Sequence, residues 1–344
     1  MKKKLLLHIG AGKCGSSALQ EYLSINNILM TDQGSTVSYA TIGPGGEITA
    51  GEAVSEKALS SVFQYSSSVG LSKVSNDSFH AETFAQSLEK IDADVVVLSC
   101  EGWINEPHHS KDIFAFNYFD IEVLVYVRAP LEWLNSAWWQ WGAWSGVEFS
   151  NWLNRTEAST YWINAIEKWV SHEFVNKIHV RLLPEDIIGD FLDLLSIKRD
   201  ISLSSNQSNN SLPSSVLRFF QSHEELRPTP HESEIDFSLS RRLSGIRSRP
   251  DWVIDIPEVI GVLDRTKKTN LSLQAYMQKS ELDKMNLDPS WWDVGHYSTK
   301  IVSEPERKAL PVKALDKIAY EALVSLHSAE LEILQLKREL RKVT

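Results

Sequence analysis

The chain has 344 residues, 42% of them hydrophobic, enough for a large core as one elaborated domain or one domain with a cap. A net charge of −10 and an isoelectric point near 5.5 exclude a general basic surface for nucleic acid or anionic membrane, while leaving room for a local basic pocket. With two cysteines, Cys14 and Cys100, there is no disulfide framework, and a reducing compartment is the default.

The first element is the apolar run Leu5, Leu6, Leu7 and Ile9, which reads as a strand. It is too short for a signal peptide, and no window of the chain is long enough for a transmembrane helix, so a soluble cytoplasmic protein is expected. The run stops at Gly10. A small-residue loop carrying Lys13 follows, and a helical pattern opens at Ser16 and continues to Leu29. Strand, glycine loop and helix form the arrangement by which α/β proteins hold phosphate. Glycines let backbone N–H groups approach an anion, and the helix start adds unpaired N–H groups and a partial positive charge. Lys13 adds a full charge, and Ser16 and Ser17 add hydroxyls.

The loop alone leaves several ligands open. Gly10, Gly12 and Gly15 satisfy the dinucleotide fingerprint G-x-G-x-x-G, but only Asp32 lies near the distance of the required ribose-binding acid, and MTDQGST does not look like a strand end. A Walker A loop needs G-K-[ST] at its end, whereas Lys13 precedes Gly15. A tight strand-to-helix turn with no ligand is the remaining reading.

Residues 33–78 are rich in Ser, Gly and Thr, with a helix expected over 52–65. Phe79 to Ile91 is helical by period, and Asp94 to Ser99 (DVVVLS) and Ile121 to Arg128 (IEVLVYVR) are buried strands of parallel type, apolar without alternation. Pro130 then opens a helix at its favoured first-turn position, running to about Trp141. A helix over Tyr161–Phe174, a strand over Lys177–Leu183 and a helix over Asp186–Leu195 complete an alternation that implies a parallel sheet covered on both faces. Residues 201–211 read as a loop and 214–226 as a helix, while 227–312 mix proline, charge and short apolar runs. Leu315 to Leu340 reads as one long helix with Leu323, Leu326, Ile333, Leu336 and Leu340 on a broad face. Packing on the body is favoured for it over pairing in a homodimer.

A second anion site is suggested by VYVRAPLEWLNSAWW. Arg128 stands at a strand's C-terminal end, where open α/β sheets bind ligands, and Ser136 lies eight residues on, in the following helix. An arginine fork suits phosphate and a serine hydroxyl can complete the cage. The plainer reading is an arginine bridged to its helix and a serine facing solvent.

Together the two segments resemble the sulfotransferases that use 3′-phosphoadenosine 5′-phosphosulfate (PAPS). That family's first motif, a strand followed by K-[ST]-G-[ST]-[ST], stands here as Lys13-Cys14-Gly15-Ser16-Ser17, with Cys14 in place of the usual Ser or Thr. Its second motif, an arginine at a strand end with a serine eight residues on, stands as Arg128 and Ser136, about 115 residues after Lys13. HIG before the loop, ALQEYL after it, the segment with Trp169, the strand KIHVRLL and the run EDIIGDFLDLLSI look like bacterial carbohydrate-type members. The resemblance covers roughly residues 5–225.

The resemblance implies an α/β fold of P-loop NTPase-like type, in three layers, with a central parallel sheet and a helical C-terminal region. It implies a PAPS-binding core over 1–225, a variable acceptor-site or lid region over 226–312 and a terminal helix over 313–344. Gly12, Lys13, Cys14, Gly15, Ser16 and Ser17 would hold the 5′-phosphosulfate, and Arg128 and Ser136 the 3′-phosphate. Lys13 would act catalytically on the leaving group, no metal is required, and the product is adenosine 3′,5′-bisphosphate (PAP). The family's C-terminal phosphate loop has no clear counterpart; Lys267 with Lys268, or Arg241 with Arg242, are the available cations. The partner is a hydroxylated acceptor, with a glycan favoured because Trp138, Trp139, Trp141 and Trp144 are too dense all to face inward and exposed indoles stack on sugars. For any single tryptophan, a core position is still the default.

The acceptor proton needs a base. Glu101 is the candidate, since it follows DVVVLS at the sheet edge shared with Lys13 and Arg128; a helix-capping or lysine-pairing role is its plain alternative. His108 and His109 are the fallback, and His8, inside the first strand, reads as a packed core residue. A nucleotide-dependent kinase, an NAD-linked oxidoreductase using the same loop, and a non-catalytic module that binds PAP without turnover are the other functions compatible with these residues.

Overall fold

In a computed structural model, the described residues are 2–74, 80–116, 118–198, 212–223, 226–230, 232, 234–243, 246, 251–301 and 312–343. β1 (Lys3–His8) runs through the middle of a seven-stranded sheet. Leu5, Leu6 and Leu7 are all fully buried, so both faces of the strand are covered, which explains its unalternating apolar sequence. α1 (Ser16–Ile25) leads away from it. β2 (Ile28–Met30) and β4 (Ile48–Ala50) both pair antiparallel with β3 (Thr36–Ile42).

α2 (Glu52–Leu59), α3 (Leu71–Val74) and α4 (Ala81–Glu89) lead to β5 (Val95–Ser99), which lies parallel between β3 and β1. α5 (Pro107–Phe114) precedes β6 (Phe119–Val127), which pairs with the other side of β1. α6 (Pro130–Gln140), α7 (Phe149–Thr156) and α8 (Trp162–Val170) lead to β7 (Val175–Leu182), parallel to β6, and α9 (Ile187–Leu194) follows. The parallel strands therefore lie in the order β3-β5-β1-β6-β7. Counted along the chain, the first parallel strand sits between the third and the fourth. In the dinucleotide-binding order 3-2-1-4-5-6 its neighbour would be the second. This is a three-layer α/β fold of the P-loop type with a central, mostly parallel sheet.

The expected strands and helices of this core are present with ends shifted by a few residues, except that the helix expected over 52–65 stops at Leu59. β2, β3, β4, α3, α5 and α7 add to them. The most central of these is β3: TVSYATI lies in a Ser/Gly/Thr-rich stretch, yet every residue from Val37 to Ile42 is buried. Ser38 and Thr41 interrupt its apolar run, and burial is permitted by the helices above and below. His8 is fully buried, as expected. Its Nδ1 lies 2.7 Å from Ser99 Oγ, its ring meets Tyr126 edge-on, and burial holds its pKa down at about 4.

Beyond the core, α10 (Ser214–Gln221) and α11 (Glu234–Arg242) precede α12 (Ile256–Leu273). A capping box opens α12: Asp255 accepts from the Glu258 N–H while Glu258 accepts from that of Asp255. α13 (Lys279–Leu287), α14 (Val294–Ser298) and α15 (Val312–Val343) complete the chain. α12 packs against α6, α8 and α14, so residues 251–300 buttress the core from behind the cleft described below. α15 contacts α10 and α11 and is clamped by Arg242, whose two Nη atoms each reach a Glu332 carboxylate oxygen at 2.9 Å. Of the apolar stripe expected to pack, Leu326, Ile333 and Leu336 remain exposed, and the side chains of Leu323 and Leu340 lie outside the described residues; Ile318 of the same helix packs on the core. The expected loop over 201–211 also lies outside them. Among the described residues, no helix is long and apolar enough to cross a membrane.

Candidate functional site

A cleft of about 620 Å³ opens at the C-terminal ends of three neighbouring strands. Each delivers one charged residue to it: Glu101 after β5, Lys13 after β1 and Arg128 after β6. Ser136 reaches the same cleft from α6, and Gly15, Ser16 and Ser17 form part of its floor. Gly12 and Cys14 do not line it. Cys14 is fully buried, and burial pushes its thiol up to about 12, so it is an inert packing group here; its N–H closes the turn on Ala11 O at 3.2 Å. His108 and His109 lie on α5 with their rings in tilted contact, and neither lines the cleft.

The loop has the geometry of an anion cradle. Gly15 is the N-cap of α1 with φ +83°, and no side chain caps the helix. Lys13 itself has φ +63°, a conformation that costs a non-glycine residue about 1 kcal/mol or more. Close approach explains two of the glycines. A Cβ on Gly10 would stand 2.3 Å from Ser16 Oγ, and one on Gly12 would stand 2.7 Å from Trp141 Cη2 and 3.0 Å from Glu101 Oε1. Ser16 Oγ is buried without a hydrogen-bond partner although its residue lines the cleft. An unpaired buried hydroxyl beside an uncapped helix N-terminus fits an oxyanion.

α6 presents Glu132, Ser136 and Gln140 at i, i+4 spacing, hence along one stripe. At one end, Glu132 Oε2 lies 3.4 Å from Arg128 Nη2; at the other, Gln140 Oε1 accepts from Lys13 Nζ at 3.4 Å. Ser136 stands between the two cations. Burial holds the Lys13 ammonium below the ordinary lysine range; the Glu101 carboxylate pulls it back up and the Arg128 cation pushes it further down. Burial raises the Glu101 carboxyl and the Lys13 charge opposes the rise. Water still reaches Glu101 through the cleft mouth, which moderates that shift.

The tryptophans chiefly hold this site together. Trp133 donates its indole N–H to Gly12 O at 2.6 Å, and Trp162 donates to Arg128 O at 2.9 Å. The two rings meet edge-to-face at 5.7 Å, so one aromatic pair fixes the backbone of both loops. Trp138 and Trp139 are buried, and Trp139 bonds Asp251 O. Only Trp139 and Trp141 of the expected sugar-stacking group line the cleft.

Sequence reasoning missed the opposite wall. Arg227, with a side chain wholly shielded from solvent, donates to Asp236 Oδ2 at 2.5 Å and to Gln140 O at 2.7 Å, and lies over the Trp144 ring. Asp236 lines the cleft, and burial raises its carboxyl against the pull of Arg227. Phe63, Tyr65 and Phe237 pack together on the same side, with the Phe63 and Phe237 centroids 4.9 Å apart. Burial raises the Tyr65 phenol, with the nearby Ser17 hydroxyl pulling the other way. Of the cations considered for a further phosphate contact, Lys267 and Lys268 are exposed on α12 outside the cleft, and Arg242 is engaged by Glu332. The Arg241 side chain lies outside the described residues. No group of three His, Cys, Asp or Glu side chains that could hold a metal occurs among the described residues.

Fold and cleft together define a P-loop-type α/β protein with Lys13 and Arg128 lining one cleft at the C-terminal edge of its sheet. No protein-family model matches the sequence, and no curated protein matches it. Among solved structures, the chain is similar to a sulfotransferase from Alicyclobacillus acidocaldarius at 12% identity, covering 82% of this chain and 100% of that one with a TM-score of 0.40. A likeness so distant assigns neither ligand nor reaction.

Proposed function

We propose that the protein is a sulfotransferase that moves the sulfuryl group of PAPS to a hydroxyl of an acceptor. The observation that carries this reading is the meeting of Lys13, Glu101, Arg128 and Ser136 in one cleft, since two cations on adjacent strands, with a carboxylate on the far side of Lys13, suit a donor phosphorylated at both ends. Lys13, Gly15, Ser16 and Ser17 at the first turn of α1 would take the 5′ end, with Gly12 and Cys14 shaping the loop behind them, and Arg128 and Ser136 would take the 3′-phosphate.

PAPS supplies an activated sulfuryl group whose leaving phosphate is already held at the loop. Lys13 places a fixed cation where negative charge grows on the leaving oxygen, and it does so in a partly desolvated cleft where that charge counts most. Glu101, one strand away, accepts the proton that the acceptor hydroxyl loses as its oxygen bonds to sulfur. A carboxyl raised by burial is a better proton acceptor than an ordinary one, provided it is ionised at the working pH. The acceptor would enter on the side of Tyr65, Phe63 and Phe237. A sugar stacked on these rings is one hydroxyl donor of that kind, and an aromatic alcohol is another.

The experiment is thermal unfolding with PAP, ATP and NAD in parallel. A ligand that binds only the native state raises the midpoint, and PAP alone is expected to do so. Stabilisation by ATP or NAD and none by PAP would reject the reading. PAP binding without sulfuryl transfer to any hydroxyl in an acceptor panel would leave a nucleotide-binding module.

A further inference from the structure

Arg128 has a competitor on its own helix. Glu132 Oε2 lies 3.4 Å from its Nη2, so a carboxylate sits beside the guanidinium assigned to the second phosphate. Left alone, that charge would oppose an incoming anion and draw the guanidinium fork toward α6. A residue far along the chain faces it. Lys300, just beyond α14, donates from Nζ to Glu132 Oε1, and His296 Nε2 lies 3.9 Å from the same oxygen. The Lys300 ammonium also lies over the rings of Trp252 and Tyr297, at 5.2 and 5.1 Å, which fixes its position. The two carboxylate oxygens are thus divided, one toward Arg128 and the other toward Lys300. Glu132 and Lys300 expose only 22% and 31% of their side chains, so water does not screen the pair fully.

We propose that Lys300 is a positioning residue of the anion site: it neutralises Glu132 and thereby leaves the charge of Arg128 available to a phosphate. Lys300 does not line the cleft, so it acts through Glu132 and does not touch the ligand. This rests on the PAPS reading, because it takes Arg128 as the grip on the donor's second phosphate. It also gives residues 251–300 a part in donor binding, although they pack behind the site.

The test is calorimetric titration of PAP into the full chain at fixed low salt, with wild type, K300M, K300R, E132Q and the double variant E132Q/K300M. K300M keeps the aliphatic stem against Trp252 and Tyr297 while removing the charge. It is expected to weaken PAP binding by roughly 3- to 10-fold, and K300R to retain wild-type affinity. With E132Q in place the lysine has no charge to neutralise, so the double variant should bind within about twofold of E132Q alone. A merely structural lysine would not be rescued in this way. The proposal is overturned if K300M binds PAP like wild type, if K300R binds as weakly as K300M, or if the same loss persists in the E132Q background. Should K300M fail to fold, the comparison of E132Q with the double variant and of K300R with wild type decides the matter. If wild type itself binds no PAP, the PAPS reading falls and this proposal falls with it; if wild type binds and the variants do not differ, only the proposal falls.

Discussion

Trp133→Phe tests whether the aromatic pair beneath the cleft shapes the site or only fills space. The substitution deletes the 2.6 Å bond from the indole to Gly12 O and trims a ring that is almost wholly buried. The lost hydrogen bond, with a carbonyl left unpaired, should cost about 1–2 kcal/mol. The smaller ring leaves a void worth about another 1–2 kcal/mol. Their sum of about 2–4 kcal/mol corresponds to a fall in thermal midpoint of roughly 3–6 °C for a chain of this size. Loss of structure alone would stop there. If the bond also holds the Lys13 loop in its binding conformation, about 1 kcal/mol should reappear as a roughly fivefold weaker PAP affinity. Trp292→Phe is the control, since its indole N–H bonds Met285 O at 2.8 Å outside the cleft; it should lower the midpoint and leave affinity unchanged. Calorimetric titration beside thermal unfolding reads both quantities. A Trp133→Phe protein that is destabilised yet binds PAP as tightly as wild type would refute the reasoning.

Three further outcomes are expected. Lys13→Met should cut turnover by at least about a hundredfold, the scale of a lost transition-state charge contact, while PAP still binds; single-turnover assays would expose near-normal chemistry if the lysine is idle. Glu101→Gln should abolish most turnover with PAP affinity retained. In wild type the rate should fall as pH drops through a carboxyl titration above the ordinary range, because burial raises Glu101 and only its ionised form takes a proton. The same raised pKa means that Glu101 adds stability when protonated, below its unfolded pKa, and that this is lost as pH rises through the folded value; a rate profile without an acid limb would move the base elsewhere. Gly12→Ala should lower stability by about 1–3 kcal/mol and weaken PAP binding, because its methyl would lie 2.7 Å from Trp141 and 3.0 Å from Glu101; an unperturbed denaturation midpoint would show that the loop makes room for the methyl at no cost and refute the close-approach argument.

The central strands were legible because parallel strands covered on both faces carry unbroken apolar runs, as LLLHI, DVVVLS and IEVLVYV do. β3 escaped because Ser38 and Thr41 break its run, although the β-branched and aromatic residues Thr36, Val37, Tyr39 and Ile42 were a usable sign. The start of α12 is also written in the chain, as the capping box of Asp255 and Glu258 around Pro257. At the cleft, Lys13, Glu101, Arg128 and Ser136 could be named because each follows a readable strand, and a sheet edge gathers such residues whatever the intervening loops do. Arg227 and Asp236 could not. No local pattern says that residue 227 donates to the carbonyl of residue 140, or that Lys300 crosses the molecule to Glu132. Those pairings depend on how helices pack, which side-chain spacing along one segment does not encode. The tryptophan cluster was visible and its use was not, since an indole stacked on sugar and an indole bonded to a loop carbonyl leave the same letters in the sequence.

The shared anchoring of two loops by Trp133 and Trp162 has a consequence for how this protein can change over time. Because neither loop can shift without disturbing the other through the touching indoles, a substitution that displaces the Lys13 loop is felt at Arg128 as well, and this half of the cleft resists piecemeal drift.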